Sequence, residues 1–262
     1  MAPLLSIVTV VKDDEAGLHR TLASIDSSPP AATETIEWLI VDSSSDRQAV
    51  NRVLTSAHIV PRYYWVPPTG VYPAMNSGLK ETTGTYVLFL NAGDELNSQD
   101  VLPSLLDQLR THSPTWLYGQ VAFIDPHETK VTPPPFDYQR ERDALFARGR
   151  FPPHQGTIAS RELLQSLGGF DTNLRVAADY ALALRLSQIA DPLELDTTIA
   201  NFHTGGLSTN EWRLSVHEFH RARLEVFAPS GLSRVREQLA TTIHFAKLAL
   251  GRARRRHNSS VH

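Results

Sequence analysis

The sequence predicts an α/β fold: a mostly parallel sheet flanked by helices, with further helices at the C-terminus. Three observations carry that expectation. Residues 4–90 alternate apolar, β-branched runs with segments whose apolar residues recur at helical spacing, the rhythm of strands joined by crossover helices. The runs in "LSIVTVV", "IEWLIVD" and "VLFLNAGDEL" are continuously apolar, as strands buried on both faces are. Each then gives way to acidic residues, in "TVVKDD", "IVDSSSD" and "FLNAGDEL", at the strand end where open α/β sheets bind ligands. One such end is more simply a solvated loop whose acids cap the next helix. Three in register point to a binding cleft.

Strand "LSIVTVV" leads into "DDEAGLHRTLASI", with Leu18, Leu22 and Ile25 on one helical face and Asp13 or Asp14 as the N-cap. Strand "IEWLIVD" follows, then the polar turn "SSSD" and a weaker helix ending near Ala57. A short strand "RYYWV" precedes "PPTGVYPAMNSGLKETTG", where Pro73 suits the first helical position and Gly84 a stop. Beyond the strand of "VLFLNAGDEL", "TWLYGQVAFID" and "TKVTPPPF" read as a hairpin, and a Pro-rich, basic stretch runs on to Pro153. Ser160 is the expected cap of "RELLQSLGG", "AADYALALRLSQI" an amphipathic helix, and "LELDTTIANF" a strand entering the loop "HTGGLSTNEW". Residues 211–227 and 233–251 read as two closing helices. The expected organisation is one domain over residues 1–210 and a helical extension with a basic tail over 211–262.

Composition narrows the function classes. The chain has 262 residues, 41% hydrophobic and 20% charged, which allows a substantial core. A formal net charge of −3 gives no reason to expect nucleic acid as the main partner. The absence of cysteine excludes disulfides, thiolate catalysis and cysteine-ligated zinc. The opening "MAPLLSIVTVV" lacks a basic leader and a small-residue cleavage site, so it reads as a strand and not a secretion signal. No uncharged stretch reaches the roughly 20 residues of a membrane-spanning helix. The expected location is cytoplasmic, or peripheral at the cytoplasmic face of the membrane. For the second, Val235, Leu239, Ile243, Ala246 and Leu250 form one apolar helix face that ends in "GRARRRH", a pairing suited to an anionic lipid surface. A packing helix with a basic tail is the plainer reading.

In order and spacing, "LSIVTVVKDDEAGLHRTLASI", "WLIVDSSSD", "GVYPAMNSGLKETTGTYVLFLNAGDEL", "HQGTIASRELLQSLGGFD" and "AADYALALRL" resemble the family 2 glycosyltransferases over residues 4–210. The resemblance implies the GT-A fold, which is Rossmann-like, a nucleotide-sugar donor, a divalent cation (Mg or Mn) and inversion at the anomeric carbon. It also implies a glycan or lipid-linked acceptor and a place in cell-envelope glycolipid or polysaccharide assembly, by analogy of family.

Residue by residue, the resemblance implies the following roles. A departing nucleotide diphosphate needs its charge neutralised, and hard cations take carboxylate oxygens. Asp94 matches the last acid of the family's DxD-type motif, here Asn91-Ala92-Gly93-Asp94, making Asp94 the metal ligand and Asn91 a helper. Glu95 is expected to cap the helix beginning near Ser98. Asp42 matches the acid that contacts base or ribose, with an Asx-turn to Ser44 or Ser45 as its structural alternative. Thr9 and Val11 match positions lining the nucleotide pocket. Asn76 matches a donor-binding position, although Pro68 and Pro73 stand where relatives often carry acids. Asp179 matches the catalytic acid, a general base held ionised at a helix N-terminus. His154 and Gln155 match an "HQ" pair near a bound sugar; His203 is a candidate metal ligand, and Gly205 and Gly206 would let the following loop close over the donor. Two other readings stay open: a sugar nucleotidyltransferase, though "VVKDDEAG" lacks the Gly-rich, basic loop of that class, and a catalytically silent scaffold.

Overall fold

The computed structural model describes residues 2–55, 57–125, 127–134, 137–140, 142, 150–204 and 211–259, with side chains as far as Leu250. In the N-terminal half, β1 (Leu5–Val11) leads through α1 (Glu15–Asp26) and the short α2 (Pro30–Thr33) to β2 (Ile36–Asp42). Then come α3 (Ala49–Leu54), β3 (Arg62–Trp65), α4 (Val71–Glu81) and β4 (Tyr86–Phe89). The second half holds β5 (Glu95–Leu96), α5 (Val101–His112), β6 (Trp116–Ile124), β7 (Lys130–Val131) and β8 (Thr157–Ser160), the last preceded by a 3-10 turn at His154–Gly156. It closes with α6 (Arg161–Ser166), α7 (Ala178–Ile189), β9 (Leu193–His203), α8 (Trp212–Phe227) and α9 (Gly231–Ser259).

One sheet runs through the molecule in the order β3-β2-β1-β4-β8-β6-β9-β5, with β7 paired to β6. The expected parallel arrangement holds for β3, β2, β1 and β4, where Val8 stands between Leu39 and Phe89. From β8 onward the directions mix: β8 is antiparallel to β4 and β6, β9 is parallel to β6, and β5 is antiparallel to β9. Central position explains why β1 is apolar throughout; all seven of its residues are buried. One core layer lies under α1 and α5, and a second under α4, α6, α7 and α8. Burial of Leu18, Leu22 and Ile25 fixes α1 on the sheet, each side chain contributing about 1.5–3 kcal/mol. Gly78 lets α4 lie close against the sheet: a Cβ there would sit 2.5 Å from Val8 Cγ1.

Asp14, not Asp13, caps α1, accepting from Gly17 N at 2.8 Å. Ser160 caps α6 as expected, accepting from Leu163 N. Helix α4 begins at Val71, so Pro73 is its third residue, still within the turn whose N–H groups have no intrahelical partner. Helix α7 is buried on nearly every side and not amphipathic, because it is enclosed between the sheet and α8. Glu95 caps no helix; it lies in β5, with Arg20 and His203 as ionic neighbours, and α5 starts only at Val101. The glycine loop 205–206 lies outside the described residues, as do the side chains of the basic tail.

A cavity at the end of β4

Past β4 the chain makes a tight turn, Asn91 to Asp94, closed by Asp94 N donating to Asn91 O at 2.9 Å. Its third residue, Gly93, has φ +95°, a conformation for which glycine carries no steric cost. Thr21 of α1 pins the turn from below, its hydroxyl accepting from Gly93 N and donating to Asp94 O at 2.7 Å. Asp94 is thereby held with its carboxyl 5% exposed at one edge of a cavity of about 980 Å³. Burial pushes its pKa up to about 7, with His154 and Gln155 opposing the shift.

Three other elements converge on that turn. The 3-10 turn before β8 sets His154 and Gln155 against it, the N-terminus of α7 supplies Asp179, and the end of β9 brings His203. Asn91 Nδ2 and His154 Nε2 are 3.2 Å apart, and His154 Nδ1 lies 3.3 Å from Asp179 Oδ2. A carboxylate only accepts, so Nδ1 carries a proton and donates to Asp179. Asp179 Oδ1 accepts from its neighbour Tyr180 N at 2.8 Å and from the Tyr72 hydroxyl at 3.3 Å. Burial and Asp179 together hold the Tyr72 pKa well above its usual value, which keeps that hydroxyl a donor. A continuous hydrogen-bond chain thus links the Asp94 turn to Asp179.

The expected residues divide into two groups. Asn91, Asp94, His154, Gln155, Asp179 and His203 all line the one cavity. Thr9, Val11, Asp42 and Asn76 do not. Thr9 is fully buried, its hydroxyl donating to Leu90 O and accepting from Trp38 Nε1, so its side chain has no face left for a nucleotide. Val11 packs in the core beneath α1. Asp42, also fully buried, uses both oxygens internally: Oδ1 accepts from Ser44 N at 2.7 Å, the Asx-turn alternative, and Oδ2 accepts from Tyr63 Oη at 2.8 Å. Asn76 braces the 169–170 turn, exchanging two hydrogen bonds with the Phe170 backbone. Sequence reasoning missed Thr21 and Tyr72, which lie far along the chain from the residues they hold, a pairing that no signal in a single sequence records.

The donor set fits a hard divalent cation that draws most of its shell from elsewhere. Asn91 Oδ1 is buried and makes no hydrogen bond among the described residues. His203 Nε2 makes none either, though it lies 3.4 Å from Glu95 Oε1. Among the described residues no three acids or histidines are spaced to hold a metal by themselves. One carboxylate with water and phosphate oxygens is, however, a common arrangement for Mg.

Comparison with known proteins agrees with this geometry. A family model described as "Glycosyl transferase family 2" matches residues 6–168, more than half of the chain. An uncharacterized glycosyltransferase of Mycobacterium tuberculosis is 26% identical over 80% of this chain and 78% of its own. A PGL/p-HBAD biosynthesis glycosyltransferase of the same species is 29% identical over 70% of each. Among solved structures, Staphylococcus aureus TarS 1–349 in complex with UDP-GlcNAc superposes with TM-score 0.68 at 16% identity, covering 92% of this chain and 71% of that one. The mannosyltransferase PcManGT of Pyrobaculum calidifontis, in complex with GDP-Man and Mn2+, gives 0.63 at 17% identity, covering 97% and 76%. These two share the fold, GT-A. The sheet, the cavity at the end of β4 and the family match agree: the chain is a glycosyltransferase and belongs to glycosyl transferase family 2.

Proposed function

We propose that this enzyme transfers a sugar, with inversion, from a nucleotide-sugar donor to a hydroxyl of a glycan or lipid-linked acceptor, using Mg or Mn. The observation that carries the reading is the hydrogen-bond chain Asn91–His154–Asp179, which joins the acid suited to a cation and the acid suited to a proton in one cavity. In this reading Asp179 Oδ2 takes the proton of the acceptor hydroxyl. The acceptor oxygen forms its bond to the anomeric carbon as the bond from that carbon to the diphosphate breaks, and a single displacement inverts the centre. His154 and Tyr72 hold the Asp179 carboxylate in place by donating to its two oxygens. Asp94 would hold the cation, with Asn91 Oδ1 and His203 as further donors. When bound, the cation supplies positive charge to the departing diphosphate.

A thermal-shift panel of UDP-, GDP- and dTDP-sugars, each with and without Mn, tests donor class and metal together. Ligand at 100 times its Kd adds about 2.7 kcal/mol of stability, which is a shift of several degrees for a protein of this size. One nucleotide class should stabilise the chain in a Mn-dependent way, and Asp94→Ala should abolish that dependence. Indifference to every nucleotide, or an Asp94→Ala protein that keeps its Mn response, would overturn the reading.

The named relatives include a PGL/p-HBAD biosynthesis glycosyltransferase, which supports a role in cell-envelope glycan assembly. A contact with the membrane surface fits the same setting. No helix among the described residues is long and apolar enough to cross a membrane. Helix α9 exposes Leu232, Val235, Leu239, Ile243 and Leu250, while His244 and Leu248 turn toward the cavity. Seven of the chain's 25 Lys and Arg fall in α9 against one of its 28 Asp and Glu. Near an anionic surface each basic residue adds roughly 1 kcal/mol. Vesicles with anionic lipid should sediment the wild-type chain better than a variant truncated after Gly251. Equal sedimentation would remove the membrane contact.

A further inference from the structure

Helix α7 carries Asp179 but has no cap of its own. Ala177 stands at the N-cap and has no side-chain acceptor for the N–H groups that open the helix. The segment that leads into the helix, residues 175–177, is held instead by another element. Glu218, on α8 and 8% exposed, accepts from Arg175 N at 2.8 Å through Oε1. Through Oε2 it accepts from Val176 N at 2.9 Å and Ala177 N at 3.0 Å. A buried carboxylate is costly unless its oxygens are satisfied, and here three consecutive backbone donors satisfy it. The turn is tied to α8 a second time, by Arg175 and Glu211 at 2.8 Å. Helix α8 is itself anchored, Arg223 donating to Tyr180 Oη at 3.0 Å and to Thr241 Oγ1 at 2.9 Å.

Glu218 does more here than hold two helices together. Asp179 follows Ala177 by two residues, so the path of the 175–177 backbone sets where its carboxylate lies. A shift of that backbone would carry the carboxylate away from His154 and Tyr72. With Glu218 occupying the three donors, Asp179 keeps Oδ2 on His154 and its other oxygen on Tyr72 and Tyr180 N. We propose that Glu218 is a positioning residue for the transfer reaction, fixing the backbone that enters α7 so that Asp179 stays aimed at the acceptor hydroxyl. The proposal rests on the reading of Asp179 as the base. It places part of the working site beyond residue 168, where the family match ends.

The test uses the full chain with Glu218→Gln, Glu218→Ala and, as a control, Glu225→Gln, which breaks only a surface pair with Arg221 on the same helix. Turnover is read as nucleoside diphosphate released from whichever of UDP-glucose, GDP-mannose or dTDP-rhamnose stabilises the wild type in the panel, with water as acceptor. Gln keeps one accepting oxygen, for Arg175 N, and loses the other. A displacement of about 1 Å can cost about 100-fold in rate, so we expect kcat to fall about 10-fold for Gln and about 100-fold for Ala. Donor KM and calorimetric Kd should stay within two-fold, and Glu225→Gln should match wild type. Unchanged kcat in both Glu218 variants overturns the proposal. So does a loss of kcat matched by loss of donor affinity and of folded fraction, which marks a purely structural residue. If Glu218→Ala fails to fold, Glu218→Gln decides alone. Asp179→Asn run alongside separates the two readings: full turnover there sinks the base assignment, while full turnover only in the Glu218 variants sinks the positioning role.

Discussion

The ends of β2 and β4 look alike in sequence and behave differently in the structure. Both are apolar strands with a buried acid at or just past the end, Asp42 closing β2 and Asp94 closing the turn after β4. Asp42 spends both oxygens on its own surroundings, Ser44 N and Tyr63 Oη. Asp94 faces a cavity, receives hydrogen bonds from the Gln155 side chain and the Asn91 backbone, and has its pKa raised to about 7 because burial outweighs the groups that would keep it ionised. The contrast shows that burial at a strand end does not decide what an acid can reach: Asp42 is sealed among Ser44 and Tyr63, whereas Asp94 opens onto a cavity.

The largest effect is expected on the open side of this comparison. Asp179→Asn keeps shape and removes the basic oxygen, so kcat should fall by about 10²–10⁴-fold, the usual scale of general-base catalysis. Donor affinity should stay within a few-fold, since Asn still accepts from Tyr180 N and Tyr72, while its amide group meets the proton on His154 Nδ1 and should lower the melting temperature slightly. Measured nucleoside diphosphate release and calorimetric donor binding check this directly. Unchanged kcat would place the open cavity's chemistry elsewhere.

Much of the fold was legible because it rests on local pattern. Continuous apolar runs marked the parallel strands, and Ser160 and one of two adjacent aspartates were read as caps from their place before a helical period. The mixed half of the sheet was not legible, since the direction of β8 beside β4 depends on a chain path with no periodic signature. Within the site, Asp94, His154 and Asp179 stood out through resemblance, and the structure gathers them in one cavity. Thr21, Tyr72 and Glu218 reach their partners across some 40 to 110 residues, and nothing in a single sequence records such pairings. For Asp42 and Thr9 the strand-end position was legible, and the internal hydrogen bonds that their polar atoms make with Trp38, Tyr63 and Ser44 were not.

The sealed side of the comparison yields the smaller prediction and the sharper one. Asp42→Ala would strip acceptors from Tyr63 Oη, on a half-buried side chain, and from the buried Ser44 N. Leaving such buried donors unpaired costs about 1–3 kcal/mol, and a protein of this size loses about 2–4 °C of Tm per kcal/mol. Tyr63→Phe should recover part of that loss when combined with Asp42→Ala, because it deletes one of the orphaned donors, so the two substitutions should be less than additive. If Asp42 is scaffold, kcat and donor KM per folded molecule remain those of wild type. A donor KM that rises with Tm unchanged would mean that the Asx-turn and the Tyr63 bond give way when a nucleotide arrives. The contrast between a sealed strand end at Asp42 and an open one at Asp94 would then fail.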